Sequence, residues 1–282
     1  MSKSKERIRD SQLRYKQGLG QNFIYDEDLL AALVRASGVT AEDDVLEVGP
    51  GAGSMTRHLC RAAHQVLSVE LDDRLIPLLG AFMQEFDNFT LVHGDVMTVN
   101  LPEITAPLRK PLHVVANIPY YITTPLMTML LSSPLDVKQM SLMVQKEVAD
   151  KVMAAPGDEA WGMLAVRCQY YCDPYVAMDV PAECFTPVPK VDSAFIVLPR
   201  RETPRVAVRC EEDFFRVAQA GFALRRKTMT NGLCAAFHME RGEAVALMQQ
   251  AGLDERIRGE KLTFEELARL SDAYTAWKEA RA

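Results

Sequence analysis

Cysteine is scarce in this chain and never paired as CxxC. The six present, Cys60, Cys168, Cys172, Cys184, Cys210 and Cys234, are too few for a disulfide scaffold. Cys168 and Cys172 fall on one face of an expected helix, but no histidine lies near them in sequence, so no metal site is expected. They read as small buried thiols in a reducing compartment. The five histidines are scattered, with no carboxylate or serine at a catalytic spacing, and carry no assigned chemistry. Long apolar runs are missing too. Pro125 to Leu131 is the longest and still contains Thr128, far short of the roughly 18 residues that span a bilayer. The opening MSKSKERIRD has no apolar core behind it, so no secretory signal is expected. Membrane and secreted classes are set aside, and a cytoplasmic protein is expected. An excess of positive charge is also lacking. Lys plus Arg total 32 against 38 Asp plus Glu, a net charge of −6, which argues against indiscriminate coating of nucleic acid but leaves room for a local basic face.

What is present is enough apolar material for a sizeable core, 48% of 282 residues, and a length of about two domains at ~150 residues each. Short β-branched runs alternate with helical stretches. Strands are expected at Val45 to Val48, Gln65 to Glu70, Thr90 to His93, Leu112 to Ala116 and Lys138 to Val144. Helices are expected at Met55 to Ala62, Asp73 to Gln84 and Pro125 to Leu131. Such alternation implies βαβ units and a parallel sheet covered on both faces. Tyr175 to Val180 and Ser193 to Leu198 read as two late strands, an antiparallel pair at one sheet edge. Composition shifts at Pro199 to Pro204, after which amphipathic helices dominate; Thr263 and Glu266 form a capping box ahead of Phe264, Leu267, Leu270, Tyr274 and Trp277 at helical spacing. The expected domains are 1–200, an α/β sheet domain with a basic N-terminal arm, and 201–282, helical.

Glu47-Val48-Gly49-Pro50-Gly51-Ala52-Gly53 falls where the first of these strands should turn into a helix. Glycines there permit a sharp turn and close approach of a ligand, at the carboxyl edge where α/β sheets bind ligands. A tight turn without a ligand is the alternative. The loop lacks the Lys-Ser/Thr pair of a P-loop and the third glycine spacing of a dinucleotide site. Glu70, 21 residues beyond Gly49, ends the second strand and is placed to accept from ribose hydroxyls; Asp95 adds an acid at the same edge. Acids and glycines without a phosphate-binding cation suit a nucleoside without phosphate. S-adenosylmethionine, with ribose, adenine amine and sulfonium, fits.

Asn117-Ile118-Pro119-Tyr120 follows the fourth strand at the same edge. An amine conjugated to an aromatic ring is a poor nucleophile, and acceptors that bind its hydrogens draw the nitrogen toward tetrahedral geometry. The Asn117 side-chain oxygen can be one acceptor and the Ile118 or Pro119 carbonyl another, with Pro119 fixing the turn. Tyr120 offers a face for a planar base, worth about 1–3 kcal/mol. Stabilisation would act where charge develops. The bland alternative is an Asn-x-Pro turn beside a core aromatic.

Gln21-Asn22-Phe23-Ile24, the glycine loop, Asn117 to Leu126 and Phe185-Thr186-Pro187-Val188-Pro189-Lys190-Val191-Asp192-Ser193 occur in order. Together they resemble the ribosomal RNA adenine N6,N6-dimethyltransferases, in particular the small-subunit branch linked to kasugamycin sensitivity, from about residue 14 to beyond 232. The resemblance implies a Rossmann-like S-adenosylmethionine-dependent methyltransferase sheet with a small helical C-terminal domain. It implies dimethylation of two adjacent adenosines in a hairpin loop near the 3′ end of small-subunit rRNA, and a role in subunit biogenesis. Asn22 and Ile24 would contact the cofactor, with Gly49 and Gly51 in its loop. Glu70 would hold the ribose, Asp95 the adenine amine, and Asn117 would touch cofactor and target. Asn117 and Pro119 would orient the target N6, Tyr120 would stack the flipped adenine, and Phe185 would close on its other side. Leu19, Ala52 and Ile118 stand where many relatives have Phe, Leu and Leu, and none removes a polar group from the chemistry.

An acidic protein that binds RNA needs local cations. Lys3 to Lys16 carries a surplus of four; Arg200, Arg201, Arg205 and Arg209 form a second cluster and Arg225-Arg226-Lys227 a third, which also resembles the family. The expected partner is small-subunit rRNA in an assembling 30S-type particle, met by a monomer. Competing readings are a large-subunit enzyme of the macrolide-resistance type, which more often has Phe at position 120, a non-catalytic RNA-binding assembly factor, and a nicotinamide dehydrogenase.

Overall fold

Alternation of apolar runs and helical stretches becomes, in the computed structural model, a mixed sheet followed by a helical unit; residues 22–224 and 226–281 are described. In chain order the elements are β1 (Phe23–Ile24), α1 (Glu27–Ala36), β2 (Asp44–Val48), α2 (Ser54–Ala62), β3 (Gln65–Glu70), α3 (Ile76–Phe82), β4 (Phe89–His93), α4 (Leu101–Ile104), β5 (Leu112–Asn117), α5 (Thr123–Ser132), β6 (Val137–Gln145), α6 (Lys146–Met153), α7 (Met163–Tyr171), β7 (Tyr175–Val180), β8 (Phe185–Thr186), β9 (Ser193–Pro199), α8 (Glu211–Ala223), α9 (Met229–Phe237), α10 (Arg241–Gln250) and α11 (Phe264–Glu279).

The main sheet has the order β4-β3-β2-β5-β6-β9-β7. Its first five strands are parallel, and β9 runs antiparallel to both β6 and β7. The late pair therefore stands at one edge, as expected, with β9 inside and β7 outside. Parallel strands covered on both faces are largely apolar, and β2 and β5 are buried along nearly their whole length. The order reverses at β2, whose neighbours β3 and β5 leave it in opposite directions, which opens a crevice at the carboxyl ends. The third helix is shorter than expected: Asp73 to Leu75 form turns, and α3 starts at Ile76 with Pro77 in its first turn, where proline's missing N–H costs nothing.

Among the described residues two compact units emerge, 22–149 with 174–200, and 150–173 with 201–224 and 226–281. This corrects the expected single cut after residue 200. Trp161, Ala165, Val166 and Tyr170 are apolar residues that bury in one cluster with Phe214, Phe264 and Leu267 of the helical unit; Tyr170 stacks on Phe214 at 4.9 Å between centroids. Long-range burial of this kind leaves no trace in local spacing. The basic N-terminal arm lies outside the described residues.

Within the helical unit, α8 meets the turn Gly259–Lys261 backbone to backbone. A Cβ added at Gly259 would stand 2.3 Å from Gly221 Cα and 2.5 Å from its carbonyl carbon and oxygen. Neither backbone can yield without moving its element. Gly259→Ala is expected to destabilise the helical unit by about 3 kcal/mol, read as a lowered denaturant midpoint; an unchanged midpoint would show that the close approach is relieved without strain.

Candidate active site

The crevice begins with the β2–α2 loop. Gly49, Gly51 and Gly53 all have positive φ, at 68°, 59° and 74°, which a side chain would strain. At Gly51 a Cβ would also come within 2.7 Å of the Phe23 ring. The loop is tied down from below: Gly49 N–H donates to the Val69 carbonyl at 3.0 Å, and Gly51 N–H donates to Glu70 Oε2 at 3.0 Å.

Glu70, at the end of β3, also accepts from Asp72 N–H at 2.8 Å. It is buried, which raises its pKa against the opposing pull of these backbone donors. It therefore holds the loop as well as facing the cavity. Asp95 follows β4, accepts from Met97 N–H at 2.9 Å and lines the same cavity.

The loop motif also carries a third acid, to which the sequence by itself assigns no role. Glu47 is 2% exposed, lines the cavity, and accepts from Thr56 Oγ1 at 3.1 Å and Ser68 Oγ at 2.6 Å. The signal in the sequence is an acid between apolar neighbours near the carboxyl end of a strand, Asp44-Val45-Leu46-Glu47-Val48. Burial pushes its pKa up from 4.5 to about 7, opposed by the two hydroxyls. Below pH 4.5 the group is neutral folded or unfolded; between there and about 7 the unfolded chain loses the proton that the folded chain keeps. Its contribution to stability is thus fully present below 4.5 and declines as pH rises to about 7. Glu47→Gln is expected to flatten that decline in melting temperature against pH, and an unaltered slope would count against burial as its cause.

Ser54, the first residue of α2, lines the cavity with a buried hydroxyl that has no hydrogen-bond partner among the described residues. The described lining includes the acids Glu47, Glu70 and Asp95 and no lysine, arginine or histidine.

Asn117 ends β5. Its Nδ2 donates to the Asn22 carbonyl at 3.1 Å. A carbonyl only accepts, so this contact sets the amide's orientation and leaves Oδ1 as the accepting end. Asn22 and Ile24 line the cavity, Ile24 within β1 and Asn22 just before it; β1 pairs antiparallel with β8. The Pro119 carbonyl accepts from Ile122 N–H at 3.1 Å, with Thr123 Oγ1 at 3.5 Å, and so closes the turn over 120–122. Tyr120 and the 56%-exposed Tyr121 also line the cavity.

Asn22, Ile24, Gly49, Gly51, Glu70, Asp95, Asn117, Pro119 and Tyr120 thus surround one cavity. Phe185 does not, a correction to its expected place over a base. It is 1% exposed, sits opposite Ile24 in the β1–β8 ribbon, and packs with Leu30, Phe195 and Val197. Its ring serves to hold β1 against the sheet. The basic clusters also separate. Arg201 and Arg205 pair with Asp173, and Arg209 with Glu279. Arg226 and Lys227 are exposed and pair with no acid among the described residues; Arg225 lies outside them.

The ribosomal RNA adenine dimethylase family matches residues 12–276. Ribosomal RNA small subunit methyltransferase A of Enterococcus faecalis is 44% identical over 96% of this chain and 94% of its own. The protein of that name from Lactococcus lactis is 42% identical over 94% and 92%. Among solved structures, a dimethyladenosine transferase from Plasmodium falciparum superposes with a TM-score of 0.75 at 23% identity, covering 88% of this chain and 95% of that one, and supports the fold alone. The 23S rRNA methyltransferase ErmE gives 0.69 at 28% identity, over 89% and 99%. With that match spanning nearly the whole length and relatives this similar, the chain belongs to the ribosomal RNA adenine dimethylase family.

Proposed function

We propose that this protein uses S-adenosylmethionine to place two methyl groups on N6 of each of two adjacent adenosines, in a hairpin loop near the 3′ end of small-subunit rRNA. The reading includes action in the cytoplasm, as a monomer, on an assembling 30S-type particle, with a role in subunit biogenesis. It rests foremost on Asn117, whose amide is turned by the Asn22 carbonyl so that Oδ1 is the accepting end at an acidic cavity. The names of the relatives support the small subunit as substrate. No described helix is long and apolar enough to cross a membrane.

The residues present fit the donor. A cavity with acids, no described cation in its lining and an unpartnered Ser54 hydroxyl suits a positively charged nucleoside without phosphate. Glu70 would hold the ribose hydroxyls and Asp95 the adenine amine, with Gly49 and Gly51 allowing close approach and Asn22 and Ile24 flanking. When bound, the donor supplies an electrophilic methyl carbon on sulfonium.

On the target side, the adenine leaves any stacked helix, at a cost of a few kcal/mol that is least in a loop. Tyr120 stacks it. In the first transfer Asn117 Oδ1 would accept one N6 hydrogen and the Ile118 carbonyl the other; in the second, the monomethylated nitrogen has one hydrogen left for one of them. In each, N6 forms its bond to the methyl carbon as the S–CH3 bond breaks and the donor would leave as a neutral thioether. Ile118 is preferred because the Pro119 carbonyl already accepts from Ile122 N–H; Pro119 acts by fixing the turn. Both acceptors gain strength as positive charge develops on N6, and the methylated nitrogen then loses its proton readily without a dedicated base.

Mass mapping of adenines in unmethylated 30S-type and 50S-type particles, after incubation with protein and methyl donor, tests this reading. Dimethylated adjacent adenosines in the small subunit alone are the expected result; methylation confined to the large subunit would overturn it. Arg226 and Lys227 are proposed phosphate contacts. Replacing both by Ala is expected to lower the slope of log affinity against log salt by about 1 to 2, equally across RNA sequences; an unchanged slope would remove them from the interface.

A further inference from the structure

The Tyr120 hydroxyl lies 2.9 Å from Ser193 Oγ, across 73 positions of sequence. Ser193 is not among the described residues lining the cavity, so any part it plays passes through the tyrosine. The two ends of this contact differ in rigidity. Tyr120 opens a short 3-10 turn over 120–122 and is half-buried. Ser193 is fully buried as the first residue of β9, paired with Gln145 of β6 on one side and Val180 of β7 on the other. The residue before it is pinned as well: the Asp192 carbonyl accepts from Lys146 N–H at 3.0 Å, and its carboxylate accepts from Ala182 N–H at 2.9 Å.

A tyrosine ring turns about two bonds; its hydroxyl oxygen lies on the axis of the second, so a hydrogen bond there stops the swing of the whole ring about the first. The bond is made by the hydroxyl at the ring's edge, so it does not use the π-faces that would meet a base. Burial raises the phenol's pKa, with Ser193 opposing, which keeps the hydroxyl a neutral partner able to donate or accept.

We propose that Ser193 is a positioning residue for methyl transfer: anchored between two strands, its hydroxyl holds the far end of the Tyr120 ring in place so that the target adenine meets a stacking surface at a set position. The inference rests on the reading of Tyr120 as that surface.

A double-mutant cycle tests it, with Ser193→Ala, Tyr120→Phe, the pair together, and Tyr120→Ala as the control for stacking. Methyl transfer to unmethylated 30S-type particles gives kcat and KM for RNA, and calorimetry gives the S-adenosylmethionine Kd. Ser193→Ala and Tyr120→Phe are each expected to lower kcat/KM by about fivefold, the double variant by no more than about fivefold, and none to change the donor Kd. Losses that multiply in the double variant would mean that Ser193 acts on folding rather than on the ring, and would overturn the proposal. Full activity in Ser193→Ala with a collapse in Tyr120→Ala would overturn the positioning role alone. Full activity in Tyr120→Ala would remove the stacking role and this inference with it.

Discussion

Asn117→Ala is expected to slow methyl transfer by about 10²–10³-fold while the protein folds and still binds RNA, because an acceptor aimed at developing charge is lost. The amide is specific in geometry as well as in chemistry. Its Nδ2 end is committed to the Asn22 carbonyl at 3.1 Å, so Oδ1 cannot trade places with it without setting two acceptors against each other. Loss of the same contact frees one tether of the segment that carries Asn22, so a modest weakening of donor binding should accompany the rate loss. Single-turnover methyl transfer at saturating donor separates the two effects. A rate within a few-fold of the parent under those conditions would remove Asn117 from the chemistry.

Glu70→Ala is expected to weaken S-adenosylmethionine binding by about 100-fold. Two effects combine. The carboxylate that would meet the ribose is gone, and Gly51 N–H and Asp72 N–H lose their acceptor in a buried place, at about 1–3 kcal/mol each. The loop strands three positive-φ glycines together, so it has little local preference of its own to keep its shape. Glu70→Gln retains an acceptor oxygen and is expected to cost only about tenfold. Equilibrium dialysis with labelled donor reads both. Equal affinities for parent and Glu70→Ala would show that neither the ribose nor the loop depends on this carboxylate.

The parallel strands, the glycine loop and the Asn-Ile-Pro-Tyr step were legible in the sequence because their signals are local. Runs such as Val45 to Val48 announce buried strands, and a glycine cluster after such a run announces a turn at the sheet edge. Glu70 and Asp95 were legible because each stands directly at a strand's carboxyl end, and parallel pairing from β2 to β4 brings those ends together.

Contacts between distant segments were not legible in this way. Phe185 sits in a motif that resembles its family's, yet only the β1–β8 pairing shows its ring buried against Ile24. The helical unit recruits Trp161 and Tyr170 from before β7 because apolar surface finds the nearest core in space, whatever its distance along the chain. Glu47's raised pKa depends on Thr56, Ser68 and the burial of β2, and Ser193 meets Tyr120 only because β9 is inserted between β6 and β7. By itself, then, the sequence determined which chemistry the carboxyl edge can hold, since residue type and spacing suffice for that. Only the tertiary structure decided which side chains face the cavity, which serve as props behind it, and where one unit ends, because burial and strand order are properties of the whole packed chain.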